Sequence, residues 1–312
     1  MKEVSILREV TGSDGWGRVQ MPGSQRLQEW ISSGTTQHLA GHALFVRTSV
    51  TPGRPPLLLI HGYPTASYDW VHVWPRLAAQ YSLYALDLLG FGLSAKPRDT
   101  DYPIALQADL CMALLDAAGV ANAHVLAHDY GDTVAQELLA REREGRLRIA
   151  SMVFLNGGLF PETHRARPIQ KLLANPLLGP LLARAMSYAK FEATMLSISG
   201  VQPPGRQDLQ DLWWLIERDG GRQALARLIN YMAQRRRNRT RWVGALVESR
   251  VPRRLICGAV DPVSGRHLAE RYRELVPEPD VVVLEGVGHY PQLEVPDRVA
   301  DEYVAFRQRL GA

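Results

Sequence analysis

The sequence predicts an α/β protein: a mostly parallel sheet of about eight strands, flanked by helices, with a helical cap inserted after the sixth strand. Three observations predict it. Six short apolar runs alternate with helical patterns. That alternation stops between Gly157 and Gly244, where only helical patterns occur, and it resumes at Pro252.

Leu57-Leu-Leu-Ile60, Leu83-Tyr-Ala-Leu-Asp87, His124-Val-Leu-Ala127, Ser151-Met-Val-Phe-Leu155, Arg254-Leu-Ile-Cys257 and Val281-Val-Val-Leu284 are continuously apolar. Such runs read as parallel strands buried on both faces, joined by right-handed crossovers. Weaker alternating segments near Arg18–Gln20, Gln28–Ser32 and Leu44–Thr48 are expected to add antiparallel edge strands. The insertion reads as helices at Ile169–Leu173, Leu181–Ala189, Leu209–Glu217 and Gln223–Arg235, with loops at 200–205 and 219–221. The expected organisation is a core of 1–156 and 245–312 interrupted by a cap at 157–244. A cap in this place covers the C-terminal strand ends, where such sheets bind ligands. There is no internal repeat and no low-complexity tract.

Composition narrows the class. The 312 residues are 46% hydrophobic and 22% charged, with net charge +4, as in an ordinary globular protein. Cys111 and Cys257 lie in apolar runs and read as buried thiols in a reducing compartment. The N-terminus has charged residues and no apolar core of a signal peptide, and no apolar run is long enough to cross a bilayer. A cytoplasmic location is the expectation. Much of the positive charge falls in Arg235-Arg-Arg-Asn-Arg-Thr-Arg241, which reads as a solvated helix end because cations suit a helix C-terminus. Without interleaved aromatics it does not indicate nucleic-acid binding.

The chemistry centres on His124-Val-Leu-Ala-His-Asp-Tyr-Gly-Asp-Thr-Val-Ala135. A buried strand enters a tight turn and leaves as an amphipathic helix, with small residues Ala127 and Gly131 two positions either side of Asp129. That is the layout of a nucleophile elbow, with a carboxylate at its centre. Taken alone, Asp129 reads equally well as a helix N-cap. Three further pieces shift the balance. His61-Gly-Tyr-Pro64 follows a strand, where the N–H groups of Tyr63 and Tyr130 can form an oxyanion hole. Asp261 and His289 each follow a later strand, giving the order nucleophile, acid, histidine.

With Asp87-Leu-Leu-Gly-Phe-Gly-Leu-Ser94, these motifs resemble the α/β-hydrolase superfamily, in its epoxide hydrolase and haloalkane dehalogenase branch. The resemblance runs from about Gln25 onward and implies the α/β-hydrolase fold. It implies an alkyl ester on Asp129, hydrolysed by water that His289 activates and Asp261 orients. An aspartate is ionised at neutral pH, so it needs no base to attack saturated carbon.

The leaving group separates substrate classes. A dehalogenase of this branch has Trp after the nucleophile and in one group Asn after His-Gly; here these are Tyr130 and Tyr63. Epoxide opening needs a proton donor, supplied in the resembled hydrolases by two cap tyrosines, for which Tyr231 and Tyr188 are the candidates. His61, Pro64, His128 and Trp70 are expected to bind substrate or support the site. Asp132, beside the elbow, is expected to press on Asp129 by like charge. Epoxide hydrolysis is the leading expectation, haloalkane dehalogenation the alternative, and a non-catalytic small-ligand-binding homologue the alternative of another class. No metal-ligand spacing is present and no cofactor is expected. The expected partners are a small apolar organic substrate and water, with no nucleic acid and no membrane; a homodimer stays open.

Overall fold

The computed structural model describes residues 23–175 and 177–311. The eight strands are β1 (Gly34–Leu39), β2 (His42–Ser49), β3 (Pro56–Ile60), β4 (Ser82–Leu86), β5 (Asn122–His128), β6 (Arg148–Leu155), β7 (Arg253–Gly258) and β8 (Asp280–Leu284). They lie in the order β1-β2-β4-β3-β5-β6-β7-β8. β1 and β2 are antiparallel to each other, and β2 to β4; every other pair is parallel.

The apolar runs become strands because helices cover both faces of the parallel part. Leu57 to Ile60 are completely buried at the centre. β8 departs from the expectation of burial on both faces. It is the edge strand, and Val281, Val282 and Val283 are only half-buried.

Two further differences lie near the N-terminus. Gln28–Ser32, expected as a strand, belongs to helix α1 (Gln25–Ser32). The Ser24 hydroxyl caps it by accepting from the Leu27 N–H, and Leu27 and Trp30, three apart, share the buried face. The second edge strand is instead β1, whose Gly-Thr-Thr-Gln-His-Leu is too polar to stand out. A two-residue turn with positive φ at Ala40 (45°) and Gly41 (83°) returns it onto β2, as such hairpins require. Arg18–Gln20 lies outside the described residues.

Helices α2 (Trp74–Ala78), α3 (Ile104–Ala117) and α4 (Tyr130–Arg143) precede β6. The insertion then supplies α5 (Pro168–Leu173), α6 (Gly179–Arg184), α7 (Tyr188–Ile198), α8 (Arg206–Glu217), α9 (Gly221–Leu228), α10 (Tyr231–Arg237) and α11 (Arg239–Glu248). α12 (Arg266–Leu275), α13 (Pro291–Glu294) and α14 (Pro296–Arg309) complete the chain. Two expected helices are broken: extended Ser187 separates α6 from α7, and a turn at Ile229–Asn230 separates α9 from α10. No helix among the described residues is long and apolar enough to cross a membrane. Cys111 and Cys257 are buried and free.

α8 is pinned to the core by Asp211, whose carboxylate accepts from the Ser24 N–H and hydroxyl and from the Tyr68 hydroxyl. α11 packs on α4 through Glu137, a buried carboxylate accepting from Arg141, Arg241 and the Trp242 indole. These donors hold Glu137 below the ordinary carboxylate range against the opposing effect of burial. Glu137→Ala leaves the Trp242 N–H without its acceptor and Arg141 with the half-exposed Asp109 as its one remaining counter-ion. It should lower unfolding free energy by about 2 kcal/mol in a denaturant titration, because a buried donor loses its acceptor and a buried cation loses one of its two carboxylates.

Candidate active site

β5 delivers Asp129 to the sheet's C-terminal edge and α4 leaves immediately after it. Asp129 sits at φ 46°, ψ −103°, in a region side chains avoid. The turn is this tight because α4 runs almost against β3. A Cβ on Gly131 would stand 2.4 Å from the Ile60 carbonyl oxygen, so only glycine fits. The Asp129 N–H donates to the Leu155 carbonyl (3.1 Å), and Oδ2 of its side chain accepts from the Tyr63 N–H (3.1 Å). As an N-cap it makes no side-chain bond to its own helix.

His289 donates from Nδ1 to Asp261 Oδ2 at 2.7 Å. Asp261 also accepts from the Val263 and Ser264 amides and from Asn156 Nδ2. Burial would raise Asp261, but His289 and these donors hold it below its ordinary value. Burial likewise opposes the His289 charge, yet Asp261 and then Asp129 outweigh it and lift the imidazole to about 9. Asn156 escaped the sequence reading; its positive φ (43°) at the end of β6 is the structural reason it reaches Asp261. The His289 loop is held by Glu294, which accepts from the Gly288, Tyr290 and Gly200 amides and so joins the loop to the cap.

The segment His61–Pro64 is fixed from behind. His61 Nε2 accepts from the Leu88 N–H (2.9 Å) and Nδ1 donates to the Gly62 carbonyl. Burial keeps this ring neutral. His128 Nε2 donates to the His289 carbonyl (2.8 Å), and burial followed by the His289 charge pulls it down to about 3. The Tyr290 hydroxyl donates to the Tyr63 carbonyl. Asp69, pushed up to about 8 by burial, accepts from the Thr65 hydroxyl (2.6 Å) under the same loop.

Arg235 is the main correction to the sequence reading. It is not part of a solvated helix end: it is 2% exposed and lies against the turn at Asp129. Nη2 donates to the Asp129 carbonyl oxygen (3.1 Å) and lies 3.8 Å from Oδ1, while Nε donates to Thr133 Oγ1 (2.6 Å). Its guanidinium stacks 4.4 Å from the Tyr231 ring centroid. Only a glycine at 158 leaves room for Nη1. Further along, Arg239 pairs with Glu162 and Arg241 with Glu137 and Glu144.

Asp132 is also corrected. Fully buried, it is raised well above the carboxylate range by burial and then by the Asp129 charge. Burial thus favours its neutral form, which lessens the like charge it presses on Asp129.

Asp129, His289, Tyr63 and Pro64 line one small cavity of about 80 Å³, roofed by Ile169, Leu173, Phe191 and Met195 of the cap. Tyr231 is fully buried behind the lining residue Tyr63 and is not itself in the cavity wall, its ring centroid 5.0 Å from that of Tyr130 and 5.9 Å from that of Tyr63. Its hydroxyl has no hydrogen-bond partner among the described residues. Tyr130 presents its backbone at the start of α4 and buries its ring against Phe91. Two expected residues lie away from the cavity. The Tyr188 hydroxyl donates to Glu192 one turn on in α7 (2.8 Å), because position 188 faces the partly exposed side of that helix. Trp70 packs wholly in the core, in the short turn Ser67–Trp70, and does not line the cavity. His164, also missed, lies half-buried near Arg235 and Asp261 with its ring nitrogens shielded, and is pulled down to about 3, chiefly by desolvation. Among the described residues no cluster could hold a metal ion.

This arrangement places an anionic oxygen pair, a backbone donor and a carboxylate-oriented imidazole around one apolar space. The comparisons agree with the architecture. The human mesoderm-specific transcript homolog protein is 41% identical over 295 residues, covering 91% of this chain and 88% of that protein. The structure is similar to a haloalkane dehalogenase variant from Bradyrhizobium elkanii (TM-score 0.74, 22% identity, 89% of this chain and 98% of that one). It is equally similar to the epoxide hydrolase CorEH (TM-score 0.74, 19% identity, 89% and 99%); at these identities the likeness concerns the fold. Residues 57–302 match the profile of the alpha/beta hydrolase family, and the chain belongs to that family.

Proposed function

We propose that this hydrolase opens epoxides through an ester on Asp129, under the helical cap that the sequence sets at 157–244. One observation carries the reading: the Asp129 carboxylate is held by the Tyr63 N–H in the cavity that His289 also lines. Asp129 Oδ1 attacks one epoxide carbon and the carbon–oxygen bond breaks. The departing oxygen takes the Tyr231 proton. Burial, then the Asp129 charge, holds that phenol well above its ordinary value, so it remains a donor at neutral pH. His289 then removes a proton from water, and the hydroxide adds to the ester carbonyl carbon. The Tyr63 and Tyr130 N–H groups receive the negative oxygen. Collapse releases the diol and the carboxylate, and the proton on His289 returns to Tyr231.

Tyr231 acts alone in this scheme, since Tyr188 is engaged with Glu192. Halide release is less well supported, because the Trp and Asn donors of the resembled dehalogenases have no counterpart in the cavity wall, whose side-chain N–H donors besides His289 are Arg167 and Gln170. His61 and His128 support the loops, and Pro64 shapes the cavity wall.

His289→Gln should accumulate a covalent adduct on Asp129 with a styrene-type epoxide, read by intact mass, while the wild type turns over to diol. Ligand binding with neither adduct nor turnover would instead favour a non-catalytic homologue.

The His289 charge sets the pH dependence. At about 9 it is an imidazolium in the free enzyme at neutral pH. Esterification removes the Asp129 charge that helps to raise it. After alkylation the imidazolium therefore releases its proton to solvent and becomes the base, and it takes a proton back from solvent once the carboxylate is restored. Single-turnover ester hydrolysis should therefore rise with pH through a midpoint below about 9 and fall on the acid side. A rate that falls as pH rises would contradict this.

Arg235→Met should slow ester formation roughly tenfold to a hundredfold, as expected for losing a charged hydrogen bond of about 1.5–3 kcal/mol. Arg235→Lys should recover part of it. Stopped-flow measurement of the alkylation step separates this from any effect on hydrolysis.

A further inference from the structure

The cap carries a second surface that the Asp129 chemistry does not use. From Thr163 to Phe191 the chain has no acidic residue but five cations, Arg165, Arg167, Lys171, Arg184 and Lys190. The same stretch turns large apolar side chains to solvent. Leu177 is 83% exposed and Leu181 63%, and Leu172 and Leu178 are each about half exposed. Asn175 Oδ1 accepts from both the Leu177 and Leu178 amides at 3.0 Å, which gathers this leucine pair at one tip.

Beside the tip runs a cleft of about 960 Å³, which shares Lys171 and Arg184 with α5 and α6. Lys96, Arg98, Arg227 and Arg236 add to its cations, against only Asp101 and Asp219. Lys171, Arg184 and Arg236 have no ion-pair partner among the described residues. Monomeric proteins seldom leave clustered leucines in water without a partner for them. A second copy in a two-fold dimer would set these cations face to face, which argues against it. Leucines at a tip with lysine and arginine around them suit the boundary between acyl chains and anionic headgroups.

We propose that α5, α6 and the turn joining them dock on the surface of a bilayer that contains anionic lipid. The leucine tip enters the acyl boundary and the cleft cations meet the phosphates. This needs no spanning segment, whose absence was the ground for expecting no membrane partner. It also does not depend on the Asp129 reaction. α5 carries Ile169 and Leu173 into the cavity wall, so docking sets the cavity close to the membrane face.

Flotation of the full chain with vesicles tests it. The protein should float with phosphatidylcholine vesicles containing phosphatidylglycerol, and much less with pure phosphatidylcholine or at high salt. L177S/L178S/L181S should weaken partitioning about tenfold or more. K171Q/R184Q should weaken it roughly twenty-five-fold, at about fivefold per cation. All five positions are exposed, and circular dichroism checks each fold; L177S alone, at the most exposed position, serves if a multiple variant misfolds. No flotation of the wild type, or equal flotation of wild type and variants, overturns the proposal. So does a dimer in sedimentation that the leucine variants dissociate without any vesicle binding.

Discussion

Everything at the site is referenced to one backbone conformation, the positive φ of Asp129 between β5 and α4. Such a conformation costs on the order of 1–3 kcal/mol and persists only where its surroundings over-determine it. Here they do so from three sides. Gly131 packs against the Ile60 carbonyl, the Asp129 N–H is tied to Leu155, and its C=O accepts from Arg235. The consequence is an acid lifted off its helix. An ordinary N-cap would turn its oxygens onto the N2 or N3 amide, whereas this carboxylate turns to the Tyr63 amide across the cavity.

Charge is arranged as strictly as shape. Asp129, Asp132, Asp261, His289 and Arg235 are all buried, and buried charges must be matched or neutralised. Burial pushes Asp132 toward its neutral form, Asp261 is matched by His289, and Arg235 lies against Asp129. Arg235 comes from α10, so one element of the cap helps to set the electrostatics of the core. Glu294 works in the opposite sense, reaching from α13 to hold both the His289 loop and the cap amide of Gly200.

The fold was legible where one physical cause dominated. Runs such as Leu57–Ile60 are apolar because both faces are covered, and small Ala127 and Gly131 flank Asp129 because the turn admits nothing larger. Legibility failed where a residue's meaning depends on a distant partner. Gln28–Ser32 alternates enough to resemble a strand, but the Ser24 cap and the Leu27–Trp30 spacing make it helical. Arg235 sits in a run of cations whose other members face outward, and only the fold shows that this one turns inward to Asp129. Asn156 and His164 likewise acquire a place at the site through tertiary contacts alone. Tyr188 had the right residue type in the cap but faces the wrong side of α7.

The central claim is that an oxygen of Asp129, not of water, bonds first to the substrate carbon. A single turnover in ¹⁸O-water, with enzyme in excess over epoxide, tests this directly by mass spectrometry of diol and of the Asp129 peptide. The account predicts unlabelled oxygen in the diol and one ¹⁸O gained by Asp129, because water attacks the ester carbonyl carbon. Label in the diol with none in Asp129 would mean direct attack by water and would contradict it.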